Sequence, residues 1–169
     1  MPPTLTTPRL VLRELTPADA PFIRVLLNDP DFIRFIADRG VRSVDDAVRY
    51  IDQGPRAMYA RHGMGLMLVE VQEGGVPVGI CGLLRRDGLD DPDLGFAFLP
   101  EHRRKGYAAE AAGATLAWGR DAMGLQRILA ITSLDNEASG RLLGKLGFRF
   151  ERIVTLPGDP EELRLYATG

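Results

Sequence analysis

The chain has 169 residues, 45% hydrophobic and 26% charged, with 21 basic and 23 acidic side chains and a net charge of −2. One domain of that length buries roughly 70% of its unfolded surface without staples, and the mildly acidic balance argues against a dedicated nucleic-acid binder. A single cysteine, Cys81, excludes an intrachain disulfide, and two distant histidines, His62 and His102, make no zinc-site spacing.

The amino-terminal MPPTLTTPRL lacks the apolar stretch of a secretory signal. No run reaches the roughly 18 apolar residues of a membrane span, so a cytoplasmic setting is expected. RLVLREL (9–15) alternates partly and reads as a strand. Thr16-Pro17-Ala18-Asp19 has the form of a helix start, with a cap, a first-turn proline and an acid, and predicts a helix to about Leu27. NDPDFIRFIA adds a short helix. Ser43 to Asp46 is a second capping pattern and opens a helix to about Ile51, where Gly54-Pro55 predicts a break before one more turn over 55–61. Strands are expected over 65–71 and 76–84, joined tightly at Gly74-Gly75. Cys81, inside the second, reads as a small core residue. DLGFAFL (93–99) is a strand stopped by Pro100. A helix over 107–123 ends at Gly124, 126–132 is a strand, 136–147 a helix ending at Gly147, and FRFERIV and EELRLYA are closing strands. This order predicts a single α/β (α+β) domain over 1–169. Its sheet is mixed and mostly antiparallel, of about 6–7 strands flanked by about four helices. The strands 93–99 and 126–132 are parallel or splayed, because a helix crosses between them.

PEHRRKGYAAEAA (100–112) sets Arg103, Arg104 and Lys105 directly before Gly106 and then becomes helical. A helix start presents unpaired N–H groups and a partial positive charge, and glycine lets the backbone approach a ligand closely. The combination suits a phosphate or pyrophosphate. A solvated basic turn is the competing reading, and the residues alone leave both open. Neither G-x-x-x-x-G-K-[ST] nor G-x-G-x-x-G is present, since GRLLGKL (140–146) has the wrong spacing.

Arg103-x-x-Gly106-x-Ala108 resembles the [QR]-x-x-G-x-[GA] signature of the GNAT superfamily of acyl-CoA N-acetyltransferases. TPRLVLREL, LGFAFLPEHRRKGYAAEA and DNEASGRLLGKLGFRFE fall in the family's order across about residues 8–167. They look most like the branch of ribosomal-protein N-terminal (alanine) acetyltransferases. The resemblance implies acetyl-CoA as co-substrate and no metal. It implies that backbone N–H groups of Arg103, Arg104, Lys105, Gly106, Tyr107 and Ala108 wrap the pyrophosphate of coenzyme A, with the Tyr107 side chain serving packing. It places Phe96-Ala97-Phe98 beside the pantetheine arm, with an N–H for the thioester carbonyl, Asn136 on the same arm or on a nearby backbone group, and Ser139 near the sulfur.

Many members carry a tyrosine acid seven residues after the asparagine; this chain has Leu143 there. Ser139 is the substitute acid, or else it makes a helix-end hydrogen bond. Asp93 stands where related enzymes often carry a base, or is a turn residue of the cluster Asp90-Asp91-Asp93. Glu110 reads as a structural partner on its helix. The helices of 22–60 and the loop TLPGDPEE are expected to line the acceptor pocket, where Arg39, Arg42 and Arg61 either meet an acidic substrate or are surface arginines. The expected function is acetyl-CoA-dependent N-acetylation by direct attack of a primary amine, a protein N-terminal α-amine or a small-molecule amine. The alternative is a catalytically weak CoA-binding sensor or partner subunit. No nucleic acid and no membrane are expected as partners, and the chain is expected to be a monomer or homodimer.

Overall fold

The computed structural model describes residues 2–169. Its first strands are β1 (Leu5–Thr6) and β2 (Leu10–Glu14). Leu10 and Leu12 of β2 are buried and alternate with half-buried Val11 and Arg13, as a sheet with two covered faces demands. Asp19 accepts the Thr16 N–H at 2.9 Å and opens the run into α1 (Ala20–Leu27), with α2 (Pro30–Phe35) following. Ser43 and Asp46 form the expected reciprocal cap of α3 (Val44–Ile51), at 3.0 and 3.2 Å.

Gly54-Pro55 does not break this helix, contrary to expectation. A π-helical stretch, Asp52–Arg56, carries it into α4 (Ala57–His62) with Pro55 buried inside. Proline has no N–H to place, and a locally widened turn accommodates its ring. The continuation matters because it delivers Tyr59. That hydroxyl accepts the Leu15 N–H at 3.1 Å and donates to the Leu66 carbonyl, pinning α4 onto the sheet.

β3 (Leu66–Val71), β4 (Val76–Leu84) and β5 (Asp93–Phe98) form a meander, its first turn made by Gly74 and Gly75 at φ 81 and 62. Then come α5 (Tyr107–Asp121), β6 (Ile128–Ser133), α6 (Glu137–Lys145), β7 (Arg149–Val154) and β8 (Leu163–Thr168). Among the described residues all eight strands make one sheet, ordered β1-β2-β3-β4-β5-β6-β8-β7. It is wider than the expected 6–7 strands because two-residue β1 shows no alternation to read. Five helices flank it, counting α3 through α4 as one. No helix among the described residues is long and apolar enough to cross a membrane.

One face of the sheet is covered by α1, α2 and α3, whose Ile23, Leu26, Phe32, Ala47 and Ile51 pack on Leu68 and Ile80. The other is covered by α5 and α6, with Ala111, Ala112, Leu116 and Leu143 against Cys81, Leu83 and Leu94. Cys81 is fully buried, its thiol pushed up to about 12 by burial, as its core assignment expects. The only parallel pair among the described strands is β5–β6. It makes one ladder contact, Asp93 opposite Leu129, with the Leu129 N–H on the Pro92 carbonyl at 2.9 Å. Beyond that rung the two strands part.

The centre of the sheet has no spare room. A methyl at Gly82 would meet the Gly65 carbonyl oxygen at 2.1 Å. Gly82→Ala should destabilise the chain by about 1–3 kcal/mol, lowering the urea midpoint with little change in slope.

Candidate active site

Pro100 begins a short 3-10 turn, in which the Arg103 N–H bonds back to the Pro100 carbonyl at 3.2 Å. Arg104 and Gly106 are then left-handed, at φ 61 and 80. A turn of this kind gathers successive N–H groups to one side. The first donor with an acceptor inside the helix is the Glu110 N–H, on the Gly106 carbonyl at 3.1 Å. The Tyr107, Ala108 and Ala109 N–H groups precede it and have no intrahelical acceptor.

This loop is braced from outside by a residue that the sequence did not flag. Arg9 donates to the Lys105 carbonyl at 2.7 Å, to Glu110 at 2.7 Å, and lies 4.7 Å over the Tyr107 ring. The Glu110 carboxylate also receives the Arg9 N–H at 3.0 Å and the Thr7 hydroxyl. Despite the opposing effect of burial, these bonds hold the Glu110 carboxyl below its ordinary value. Glu110 is thus the structural partner expected, and Tyr107 packs as expected. No local pattern marks Arg9, because its partners Lys105 and Glu110 lie 96 and 101 positions further along the sequence.

Arg103 departs from expectation. Its N–H is used by the turn, and its guanidinium is used by the Phe98 carbonyl at 2.8 and 3.0 Å and by Asp29 and Asp31. The open N–H groups therefore begin at Arg104. They face a cavity of ≈ 250 Å³ whose walls include Phe98, Arg104, Gly106 and Ala108, closed from α6 by Leu142 and Lys145. Lys145 is a further cation at this mouth that sequence reasoning missed.

The same cavity continues toward the edge of β5. The Leu99 N–H bonds to Val78 of β4 at 3.1 Å, so position 99 points its backbone at β4. Antiparallel ladders alternate, so Phe96 and Phe98 point their N–H and C=O groups the other way, toward β6. There β6 has already parted, and Arg103 takes only the Phe98 carbonyl. Phe96 and Ala97 are half-buried, and Phe98 is buried. At the start of α6, beyond the end of β6, Asn136 caps the helix by accepting the Ser139 N–H at 3.2 Å. The half-buried Ser139 hydroxyl makes no hydrogen bond among the described residues. Leu143 is buried in the core, as an apolar side chain at the acid position requires.

Asp93 lies at the closed end of the splay. It is 0% exposed, and Arg86 Nε contacts both its oxygens at 3.0 and 3.1 Å. Of the arginines weighed for an acidic substrate, Arg42 is engaged by Asp38 and Asn28, while Arg39 and Arg61 are exposed. The loop containing Pro157 packs on the β4–β5 connection, where a methyl at Gly88 would meet Pro157 at 2.5 Å.

Burial pushes the Asp93 carboxyl up to about 6 from 3.8, against the pull of Arg86. The folded chain therefore holds that proton more tightly than the unfolded chain, and stability falls as pH rises between the two values. At about 1.4 kcal/mol per unit the effect is about 3 kcal/mol. Asp93→Asn should remove it. Between about pH 4 and pH 7, the difference in unfolding free energy should move by about that amount in the variant's favour; parallel curves would show a solvated carboxyl.

A family model described as the acetyltransferase (GNAT) domain matches residues 9–149. The uncharacterized N-acetyltransferase YoaA of Bacillus subtilis (strain 168) is 31% identical over 154 residues, covering 90% of this chain and 86% of that one. The crystal structure of an acetyltransferase from Agrobacterium tumefaciens str. C58 superimposes with a TM-score of 0.84 at 26% identity, covering 100% of this chain and 95% of the other. RimL, a ribosomal L7/L12 alpha-N-protein acetyltransferase solved in complex with coenzyme A, shares the fold with a TM-score of 0.83 at 15% identity, over 98% of this chain and 97% of that one. The signature at the α5 mouth, the splayed strands and these matches agree: the chain belongs to the GNAT acetyltransferase family.

Proposed function

We propose that the protein moves an acetyl group from acetyl-CoA to a primary amine by direct attack of the amine on the thioester. The observation that carries this reading is the junction of two kinds of open backbone. The residues of the α5 mouth line a cavity that also takes in Phe98, on the β6-facing edge of β5. The first suits a pyrophosphate and the second an extended amide chain; coenzyme A has both. The coenzyme A bound to RimL supports the assignment by analogy of fold.

Acetyl-CoA supplies a thioester whose carbonyl carbon forms the new C–N bond as its C–S bond breaks. The proton lost by the amine ends on the departing sulfur. In this reading the N–H groups of Arg104 to Ala108 hold the pyrophosphate, and Phe96 and Phe98 align the pantetheine arm. The Phe96 N–H donates to the carbonyl oxygen as it gains charge, a preorganised donor in a water-poor cleft. Asn136 offers its remaining amide N–H groups to the arm. Ser139 Oγ lends its proton to sulfur, a modest task because thiols ionise near pH ~8.5. Asp93 has no exposed surface from which to take a proton, so its role is to hold Arg86. Without an exposed base, the acceptor must reach the site neutral. An α-amine is roughly a tenth deprotonated at pH 7 and a lysine amine far less, so α-amines and small amines of similar basicity are favoured.

Acetyl-CoA at 100 times its dissociation constant should stabilise the fold by about 2.7 kcal/mol, read as a thermal shift. Gly106→Val places a branched side chain at φ 80, with Arg9 Nη2 3.1 Å from its Cβ. It should abolish most of that shift, whereas Arg103→Ala should keep part of it; the reverse order would overturn the backbone account of the loop. Absence of any shift in the native chain would remove the cofactor assignment itself.

Thiol release across amines tests transfer. Ser139→Ala should lower kcat roughly tenfold or more while leaving the acetyl-CoA thermal shift intact. Equal losses in both would mean that the serine serves only the helix end.

A further inference from the structure

The cofactor occupies the α5 side of the splay in this reading, and the opposite face carries a second feature. Just past the end of β4, Arg86 follows Leu84 by two positions and so shares its face. Across the ladder this face also carries Asp93 and Gly95. A methyl built on Gly95 would lie 4.0 Å from Nη2 of Arg86. The guanidinium is thus one residue from Phe96, whose N–H is assigned to the thioester.

Wholly buried Asp93 takes only Nε. That contact orients the guanidinium, whose side chain is 29% exposed, and leaves Nη1 and Nη2 with no hydrogen bond among the described residues. Tyr50, half-buried on α3, feels the same charge. Burial holds its phenol above the ordinary value, while the positive charges of Arg39 and Arg86 pull it down. The Tyr50 hydroxyl likewise has no hydrogen bond among the described residues.

Burying a carboxylate costs free energy that pairing only partly offsets, so this pair is a poor device for stability alone. With Nε engaged, the remaining edge presents two parallel donors, the geometry that a carboxylate or phosphate accepts bidentately. A purely cationic acceptor gains nothing there, because its ammonium would face the Arg86 guanidinium.

We propose that Arg86, positioned by Asp93, recognises the acceptor, a primary amine bearing a carboxylate or phosphate within a few bonds of the amine-bearing carbon. The proposal rests on the acetyl-transfer reading and names its substrate class. The acidic group belongs either to a free amino-acid-like molecule or to the first side chain of a peptide.

The test measures thiol release at saturating acetyl-CoA with matched acceptors. One series compares α-amino acids with their amides and with the decarboxylated amines. A second compares tripeptide amides beginning with Asp and with Asn. Acid-bearing members of at least one series should be favoured about tenfold or more in kcat/KM, mostly through KM. The series that responds identifies the source. Arg86→Gln should erase the preference while acetyl-CoA still stabilises the protein. The double variant Asp93→Asn/Arg86→Gln should do the same, guarding against a fold lost to an unpaired buried carboxylate.

Equal turnover of acidic and neutral partners, or a preference that survives in both variants, overturns the proposal and leaves acetyl transfer standing. Stabilisation by acetyl-CoA without thiol release from any amine overturns the transfer reading, and this proposal with it.

Discussion

The structure turns on the single rung between β5 and β6. A parallel pair that closed along its full length would satisfy its backbone internally and leave no site. Here one contact at Asp93 and Leu129 holds the strands, and everything beyond it must find partners elsewhere. The Phe98 carbonyl finds the Arg103 guanidinium. Phe96 and the Phe98 N–H remain as a strand edge inside the fold, not at its rim. An edge in that position is shielded from pairing with another chain and open to a slender ligand that can act as a strand. The narrow end of the wedge is also where Asp93 and Arg86 meet, so the rung that opens the cofactor cleft places the arginine at its tip.

The two lips of the wedge are bridged by α2, only six residues long. Asp29 and Asp31 at its start take Arg103 from the β5 lip, and Arg34 near its end meets Asp135 of the β6 lip at 3.3 Å. Such exposed pairs contribute little each to stability. Their value lies in geometry: a helix on the face opposite α5 is tied to the loop at the α5 mouth and to the residue before Asn136. Arg9 performs the complementary task from the other side, taking the Lys105 carbonyl so that the loop can turn its N–H groups inward. Two of the arginines nearest the anion site thus act on protein groups, and backbone donors are left for the ligand.

What the sequence made legible was written in local rules. Caps at Thr16–Asp19 and Ser43–Asp46, the Gly74-Gly75 turn and the glycine at the α5 mouth each depend on neighbours within a few positions, and each formed as read; the parallel pair followed from the helix that crosses between its strands. Where a local rule misled, a distant demand prevailed. Pro55 was read as a breaker, but the need to bring Tyr59 to Leu15 and Leu66 kept the helix going through a π turn. Arg103, expected as a backbone donor to the anion, instead closes the turn on the Pro100 carbonyl, and its guanidinium answers carboxylates some seventy residues earlier. The brace of Arg9 on Glu110 and the pairing of Arg86 with Asp93 left no local trace. Ion pairs between elements have no period and no fixed spacing, so only the register of the sheet reveals them.

The burial of Asp93 leaves one chemical problem, the proton on the acceptor. A carboxylate close to an amine stabilises its ammonium form and raises its pKa, which would slow attack at neutral pH. Pairing that carboxylate with Arg86 cancels much of the effect, returning the amine toward the 7.7–8.0 range of an α-amine without a neighbouring charge. Recognition and activation then become one interaction. The guanidinium that selects an acidic acceptor also releases its amine from the charge that held its proton, and a site built this way has little need for a dedicated base.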